Sequence, residues 1–292
     1  MTRFNPTWLI VFLLLHGATV VAGATLPERA EQGDAEAQFE LAAKFHAGDG
    51  VAKDGAEAAR WWRKAAEQGH PKAQFHLGLC FLEGNGVAKN TTEALQWVRK
   101  SADQGYADAQ NNLGGLYAIG AGVPKEIREA ARWWAKAAAQ GQMAAQFNLG
   151  LLLATGNGIT KDTAAAVKWF RLAADQGHVG AQASLAAFLA KGEGVPKDET
   201  EAVKLYRLAA AKGHVPALFS LGQMQAAGTG IAKDVVEAYA RLSQAGAAGY
   251  PPAREALKVL AKEMTSAEIA EATKLARQPS GEWPVKSNRS TR

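Results

Sequence analysis

The sequence predicts an all-α fold, an α-solenoid of about six to seven helix-hairpin repeats of 36 residues each. A nine-residue pattern recurs with a constant step of 36 residues, glycines recur at fixed positions in every unit, and alanine is abundant. The copies are AQFELAAKF at 37–45, AQFHLGLCF at 73–81, AQNNLGGLY at 109–117, AQFNLGLLL at 145–153, AQASLAAFL at 181–189 and ALFSLGQMQ at 217–225. A fixed period without insertions is typical of repeat architectures.

The first helix of each unit is predicted from apolar residues that fall on one face. In the first copy, Ala37, Leu41 and Phe45 are spaced four apart, which matches the turn of an α-helix. The pattern stops at Gly48, and a glycine at a helix end adopts the left-handed conformation without a steric penalty. A second glycine follows at Gly50. The two glycines predict a hairpin loop after each first helix.

The second helix of each unit is predicted to begin with a capping box. Asp54 is followed three residues later by Glu57, so we expect Asp54 to accept from backbone N–H groups while Glu57 folds back. The same pair occurs at Asn90 and Glu93, Asp198 and Glu201, and Asp234 and Glu237. The column Trp61, Trp97, Trp133 and Trp169 is predicted to face the core. The single cysteine, Cys80, is predicted to be a buried, inert thiol.

Residues 1–24 are predicted to form a secretory signal peptide. Arg3 precedes an apolar run over residues 8–15, and the segment ends in the small residues AGA at 22–24. This arrangement is typical of a signal that is removed after Ala24. The alternative is an uncleaved anchor, although the run is shorter than the roughly 20 residues that cross a bilayer. Cleavage would leave no membrane span and predicts a periplasmic or secreted protein.

A hairpin of two amphipathic helices cannot bury its apolar face alone, so equal hairpins are expected to stack around a continuous core. We therefore interpret residues 25–279 as one folding body. Its repeats are predicted at about 35–70, 71–106, 107–142, 143–178, 179–214 and 215–250, with a C-terminal cap at 251–278. Thr265 or Ser266 is expected to cap the closing helix with Glu268. The polar tail 279–292 is predicted to be disordered.

These units resemble the Sel-like repeat family, a relative of the tetratricopeptide repeats. The elements A-x-x-x-L-G-x-x-Y, G-x-G-V, D-x-x-x-A-x-x-W and A-A-x-Q-G carry the resemblance, which covers about residues 31–277. They are present at Ala109, Leu113, Gly114 and Tyr117, at Gly84, Gly86 and Val87, and at Asp162, Ala166, Trp169, Ala173, Ala174, Gln176 and Gly177. The resemblance implies a right-handed α-superhelix that serves as an adaptor, often in secreted, periplasmic or membrane-associated assemblies.

Some cysteine-rich relatives in that family carry a disulfide in each repeat and are linked to cell-wall or β-lactam chemistry. This chain has one cysteine and departs from them in that respect. It also has 33 Lys and Arg against 28 Asp and Glu, mixed along the sequence, which does not indicate nucleic acid binding. His70, His178 and His214 share one column of successive repeats, too far apart for one metal ion. We predict no catalytic residue, no metal and no cofactor.

The first helices are expected to line the concave side of the solenoid and to bind a partner there. On a helical wheel with Ala37 inward, the positions equivalent to residues 40 and 43 point away from the core. The predicted partner-binding residues are Glu40, His76, Asn112, Asn148, Ser184 and Ser220 from the first position, and Leu79, Leu151 and Gln223 from the second. Short polar side chains suit an extended peptide or glycan. An exposed helix face also requires polar residues for solvation, and both interpretations stay open.

Three functions are compatible with this pattern. The first is a non-catalytic scaffold or adaptor, in the cell envelope or secreted, that binds a segment of another protein. The second is a protein that binds peptidoglycan or another cell-wall polysaccharide without turnover. The third is a cell-wall hydrolase or a β-lactamase-like enzyme, for which the sequence offers no catalytic set. We expect the first, with a protein partner that the sequence does not identify.

Overall fold

A computed structural model of the protein describes residues 24–278. These residues form fifteen α-helices and no strand, and the predicted all-α repeat fold is confirmed. Twelve successive helices are each 13 residues long, as equal repeat units require. The predicted signal peptide, apart from Ala24, and the predicted disordered tail lie outside the described residues.

The chain divides into two compact units at Gln104 and Gly105. The first unit contains α1 (Leu26–Glu31), α2 (Ala35–Ala47), α3 (Gly55–Glu67), α4 (Pro71–Glu83) and α5 (Thr91–Asp103). The second unit contains α6 (Ala107–Ile119), α7 (Ile127–Ala139), α8 (Met143–Thr155), α9 (Thr163–Asp175), α10 (Val179–Lys191), α11 (Glu199–Ala211), α12 (Val215–Ala227), α13 (Val235–Ala247), α14 (Pro251–Ala261) and α15 (Ser266–Ala276). Within each unit every helix packs against the next along the chain, except that α15 packs against α13.

We call α2, α4, α6, α8, α10 and α12 the first helices, and α3, α5, α7, α9, α11 and α13 the second helices. Each first helix ends at a glycine in the left-handed conformation, as predicted. Gly48, for example, has φ of 78° and donates its N–H to the carbonyl oxygen of Lys44 at 2.8 Å. The second loop glycine, Gly50, also has a positive φ, of 72°. The hairpin loops therefore form where the sequence predicts them.

The start of the second helices is capped differently from the prediction. Asp54 accepts hydrogen bonds from the N–H groups of Ala56 and Glu57, as expected. The Glu57 carboxylate does not fold back onto the cap, and it accepts from the guanidinium of Arg60 instead. A complete capping box is present at Thr265 and Glu268, where the prediction is confirmed. The prediction of a reciprocal box at Asp54 and Glu57 is wrong because a basic residue one turn later competes for the carboxylate.

Columns of alanine allow the helices of each unit to pack closely. Three such columns are fully buried in every repeat, and all of their residues are alanine except one serine. They contain Ala37, Ala73, Ala109, Ala145, Ala181 and Ala217; Ala58, Ala94, Ala130, Ala166, Ala202 and Ala238; and Ala65, Ser101, Ala137, Ala173, Ala209 and Ala245. Because alanine buries apolar area with a single methyl group, the helix axes can approach closely while the larger side chains fill the space between repeats.

The tryptophan column is only partly in the core. Trp61 is buried, as predicted, whereas Trp97, Trp133 and Trp169 are half-buried. Trp97 and Trp169 pack against buried core residues, so they lie at the edge of the core and not within it. The buried column lies one residue later and contains Trp62, Val98, Trp134, Phe170, Tyr206 and Leu242. The two columns are 100° apart on the helix. Both carry large apolar residues, so the amphipathic pattern of the sequence does not show which column is buried.

A ladder of glutamines joins the two helices of each repeat and reaches back to the residues before that repeat. In the first unit the amide of Gln38 donates to the carbonyl of Ala30 at 3.0 Å, and its oxygen accepts from the amide of Gln68 at 2.8 Å. Gln74 with Gln104, Gln110 with Gln140 and Gln146 with Gln176 repeat the side-chain bond at 2.7–2.8 Å. Each bond joins a first helix to the turn after the following second helix. The recurring AQ and QG pairs of the sequence therefore set the register of the repeats.

The ladder is broken at Gln182. Lys212 stands where the first four repeats have the second glutamine, and its ammonium donates to the carbonyl of Gly177 at 3.1 Å. The side-chain oxygen of Gln182 is buried and has no hydrogen-bond partner among residues 24–278. Leaving such an acceptor unpaired costs about 1–3 kcal/mol.

We expect the substitution Lys212→Gln to stabilise the protein by about 1 kcal/mol. The new amide would donate to Gln182 and to the carbonyl of Gly177, as Gln140 donates to Gln110 and Gly105. Urea unfolding followed by circular dichroism measures the change. Lys204→Gln on the same helix, where the lysine is exposed and forms a surface ion pair with Glu201, is the control and should have little effect. Equal effects of both substitutions would contradict the role of the ladder.

Candidate functional site

The first helices are fixed at their starts by unusual side-chain caps. The ring Nδ1 of His178 accepts from the backbone N–H of Ala181 at 3.1 Å, and His70 and His214 form the same bond in their repeats. Gln142 caps its helix through its side-chain oxygen. The histidines of this column are therefore helix caps. An accepting Nδ1 carries no proton, so the caps of His178 and His214 require the neutral ring.

Most of the predicted partner-binding residues lie at the boundary between core and solvent. Glu40, Leu151 and Gln223 are exposed. The half-buried members of the set are His76, Leu79, Asn112, Asn148, Ser184 and Ser220. The helical wheel predicted that all of them point away from the core. That wheel treats one helix alone, whereas large side chains of the second helices also reach this column. We call the surface formed by the residues equivalent to 40 and 43 the first-helix face.

In the first unit the first-helix face contains an aromatic cluster. The ring of His76 stacks on the indole of Trp62, with centroids 4.9 Å apart and planes 17° apart. The ring of His46 also lies against the indole of Trp62, with centroids 5.3 Å apart. The indole N–H of Trp62 is buried and has no hydrogen-bond partner among residues 24–278. His76 therefore forms part of the packing around Trp62.

In the second unit the first-helix face is built from amides and hydroxyls. The amide of Asn148 on α8 donates to the side-chain oxygen of Asn111 on α6 at 3.3 Å. The backbone carbonyl of Asn111 accepts from the indole N–H of Trp134 at 3.1 Å. Ser220 is hydrogen-bonded to Tyr206, and burial raises the pKa of that tyrosine while the bond opposes the rise. These contacts hold the polar groups of neighbouring helices side by side.

The first-helix face of the second unit is uncharged and has one exposed apolar side chain, with a second just beyond it. Positions 40 and 43 of its four repeats carry asparagine, serine, glycine, alanine, leucine and glutamine. Leu151 is 45% exposed, and Ile119, one turn beyond this face on α6, is 74% exposed. Amides donate and accept, and exposed aliphatic groups bind apolar side chains, so this face can recognise both the backbone and the side chains of a peptide.

A phenylalanine column of the first helices and the single cysteine have packing roles. Phe39 stacks on His70 with centroids 4.9 Å apart, and Phe147 stacks on His178 at 4.3 Å, so this phenylalanine column joins neighbouring repeats. Cys80 is buried, as predicted, and burial raises the pKa of its thiol to about 11. A thiol with such a pKa is a poor nucleophile at neutral pH.

One buried charged group was missed from the sequence. Arg241 on α13 donates to Gln225 on α12 at 2.6 Å and forms an ion pair with Glu237 at 3.4 Å. Burial lowers the pKa of Arg241, and the neighbouring Glu237 opposes that effect. Arg241 stands in the column of Trp61, and this break in an aromatic column was the signal that could have identified it. Its partners show a role in joining α12 to α13.

Within residues 24–278, no group of three or more His, Cys, Asp or Glu side chains is placed to hold a metal ion. In the same part of the chain, no helix combines the length and the apolar character needed to cross a membrane. The chemistry that the first-helix face offers is hydrogen bonding and apolar contact.

A model of the Sel1 repeat family matches residues 35–70, 71–106, 107–142, 144–178, 179–214 and 215–250. The chain is similar to the crystal structure of a Sel1 repeat protein from Oxalobacter formigenes, with 37% identity, a TM-score of 0.67, and coverage of 74% of this chain and 89% of that one. It is also similar to c5321 of uropathogenic Escherichia coli strains, a protective antigen that displays an SLR fold. That match has 27% identity, a TM-score of 0.62, and coverage of 91% and 67%. No match was found among the curated proteins.

The histidine caps predict a pH dependence of stability. Burial lowers the pKa of His178 and of His214 below the ordinary value of 6.5. Protonation therefore favours the unfolded chain, so the free energy of unfolding is highest above pH 6.5 and falls as the pH drops through the folded-state pKa. Replacing both with glutamine, the cap that the chain itself uses at Gln142, should remove part of this fall.

Urea unfolding between pH 5 and 7.5 measures this difference. The control is His46→Gln, since His46 is exposed and caps no helix. That variant should keep the pH dependence of the original protein. A pH profile that is unchanged in His178→Gln/His214→Gln would show that the caps are not the titrating groups.

Proposed function

Because the chain belongs to the Sel1 repeat family, whose members are generally protein-interaction scaffolds, we propose that it is a non-catalytic adaptor outside the cytoplasm that binds an extended segment of a partner protein. The binding surface in this proposal is the first-helix face of the second unit, on the side predicted to be concave. The observation that carries the proposal is the uncharged row of amide and hydroxyl groups on consecutive first helices.

The chemistry of this row supports a peptide over a charged ligand. Asn148, Ser184 and Ser220 are short groups that both donate and accept, as a peptide backbone requires, whereas the side-chain oxygen of Asn112 is buried and has no hydrogen-bond partner among residues 24–278. An extended segment has unpaired N–H and C=O groups along its length, and side-chain amides can satisfy them without a preferred charge. The exposed part of Leu151 adds an apolar contact for a side chain of the partner.

We expect Asn112→Arg/Asn148→Arg to lose the partner, because two long cationic side chains would fill and charge the row. The wild-type chain and the variant are used as baits in an envelope extract of the native host, and captured proteins are identified by mass spectrometry. The partner is then purified, and its Kd should rise at least about tenfold for the variant.

The matched control is Gln96→Arg/Thr273→Arg, which adds the same charge at exposed positions of α5 and α15. It should retain the partner, and thermal unfolding must show that both variants are folded. An unchanged list of partners in Asn112→Arg/Asn148→Arg would contradict the proposed site. Sedimentation of the wild-type chain with purified insoluble cell wall, without any protein partner, would contradict a protein ligand and favour a polysaccharide.

The location outside the cytoplasm is supported by the N-terminal sequence. Arg3, the apolar run at 8–15 and the AGA motif at 22–24 have the order of a cleavable secretory signal. When the full chain is expressed in a bacterial host with two membranes, we expect the periplasmic fraction to contain a protein that begins at Thr25. Mass spectrometry of the intact protein measures this, and Ala22→Asp/Ala24→Asp should prevent cleavage. A full-length chain confined to the cytoplasm would contradict the proposal.

A further inference from the structure

The second helices α9 and α11 expose leucines between basic side chains. On α9, Lys168, Arg171 and Leu172 are spaced three and four residues apart, and all three are exposed on one side of the helix. The equivalent residues of α11 are Lys204, Arg207 and Leu208. Leu172 is 48% exposed and Leu208 is 52% exposed, an unusual state for neighbouring leucines on a helical surface. We call these six residues the outer patch.

The same column carries lysine in the first three repeats. Lys64, Lys100 and Lys136 place their ammonium groups 4.0, 4.1 and 3.9 Å from the ring centroids of the tryptophans three residues before them. In those repeats a hydrated cation covers the aromatic surface. At Leu172 and Leu208 the cation is replaced by an uncovered apolar group. The outer patch is therefore a local departure from the repeat pattern.

One hydrogen bond joins the C-terminal ends of the two helices of the outer patch. Lys212, four residues after Leu208, donates to the carbonyl of Gly177, five residues after Leu172. This bond places the C-terminal ends of α9 and α11 next to each other, with a leucine one turn before each end. The two leucines consequently belong to one surface.

The cations of the outer patch are mostly unpaired. Among residues 24–278, Lys168, Arg171 and Arg207 form no ion pair, and Lys204 is 3.4 Å from Glu201. Four positive charges thus surround two leucines, with Asp175 as a nearby exposed acid on α9. A ligand that covers this surface needs negative charge around an apolar centre.

The molecule itself shows how a helix can occupy this face. Residues Val236, Ala240 and Gln244 of α13 stand in the columns of Thr200, Lys204 and Leu208 of α11. There α15 packs onto the face: Val236 and Ala240 are buried against Ala272 and Leu275. Gln244 donates to the carbonyl of Ala276 at 3.1 Å. An amphipathic helix therefore fits on this side of a second helix.

We propose that the outer patch docks an acidic amphipathic helix of a partner protein, with its leucine or similar apolar side chains between Leu172 and Leu208 and its carboxylates beside the four cations. The face that α15 covers is uncharged, whereas the outer patch is cationic, so its occupant must be acidic. The chain's own C-terminal residues 279–292 do not fit, since they contain Lys286, Arg289 and Arg292 against Glu282. This surface is distinct from the first-helix face and does not depend on it.

A synthetic fluorescein-labelled peptide of about 18 residues, or about five helical turns, tests this proposal. It carries leucines on one face and glutamates on the others, and a counterpart carries lysines in place of the glutamates. We expect fluorescence anisotropy with the full mature chain to show binding of the acidic peptide only. Leu172→Gln/Leu208→Gln, which introduces the residue present at Gln244, should raise the Kd at least about tenfold. Lys168→Gln/Lys204→Gln should raise it similarly and reduce its salt dependence.

Two further variants locate the binding site. Val259→Gln removes another exposed apolar side chain, 61% exposed on α14, and should leave the Kd of the peptide unchanged. Asn112→Arg/Asn148→Arg should leave it unchanged as well, so failure of the first-helix site and failure of the outer patch give different results. Loss of peptide binding in that variant would place the peptide on the first-helix face and overturn the proposal.

The remaining outcomes also overturn it. Equal binding of the acidic and basic peptides would exclude charge recognition, and equal binding by wild type and Leu172→Gln/Leu208→Gln would exclude the patch as the site. No change in anisotropy at millimolar chain would exclude docking of an acidic helix. If instead the wild-type chain floats with phosphatidylglycerol vesicles and Leu172→Gln/Leu208→Gln does not, the patch contacts a lipid surface and the proposed partner is wrong.

Discussion

The close approach of the two helices in each hairpin is the constraint on which the rest of the structure depends. A Cβ atom at Gly114 would lie 2.7 Å from the indole of Trp134, and one at Gly150 would lie 2.9 Å from the ring of Phe170. Alanine occupies this position in the first and fifth repeats, at Ala42 and Ala186. Because the contact leaves no room for a side chain larger than that of alanine, the two helices of each hairpin can approach closely.

This packing determines where polar groups can be buried. Small residues at the helix contacts bring backbone carbonyls close to the neighbouring repeat, where they need donors. The glutamine ladder supplies them: the amide of Gln146 donates to the carbonyl of Ala138, and its oxygen accepts from Gln176. Hydrogen bonds have a narrow range of length and angle, so the ladder fixes the register that apolar contact alone would leave loose.

Since the core is nearly identical in each repeat, differences in function must lie in the columns that reach solvent. In the second unit, the first-helix face is uncharged around Asn148 and Ser220, whereas the second helices carry cations and leucines around Leu172 and Leu208. The two proposed binding surfaces differ in chemistry, the first suited to a peptide backbone and the second to an acidic amphipathic helix. A repeat scaffold can therefore bind two partners of different chemistry.

The sequence by itself determined the repeat, the helix ends, the hairpin loops and the buried Cys80, because glycine conformation, capping and apolar periodicity act within a few residues. It predicted that the site residues point away from the core, whereas six of the nine are half-buried, and it did not predict their contacts. Only the tertiary structure decided that the column of Trp62 and Trp134 is the one buried in every repeat, that Ser220 bonds to Tyr206, and that α15 packs on α13. These outcomes depend on distances between helices that are far apart in the chain, and no local pattern of residues specifies such distances.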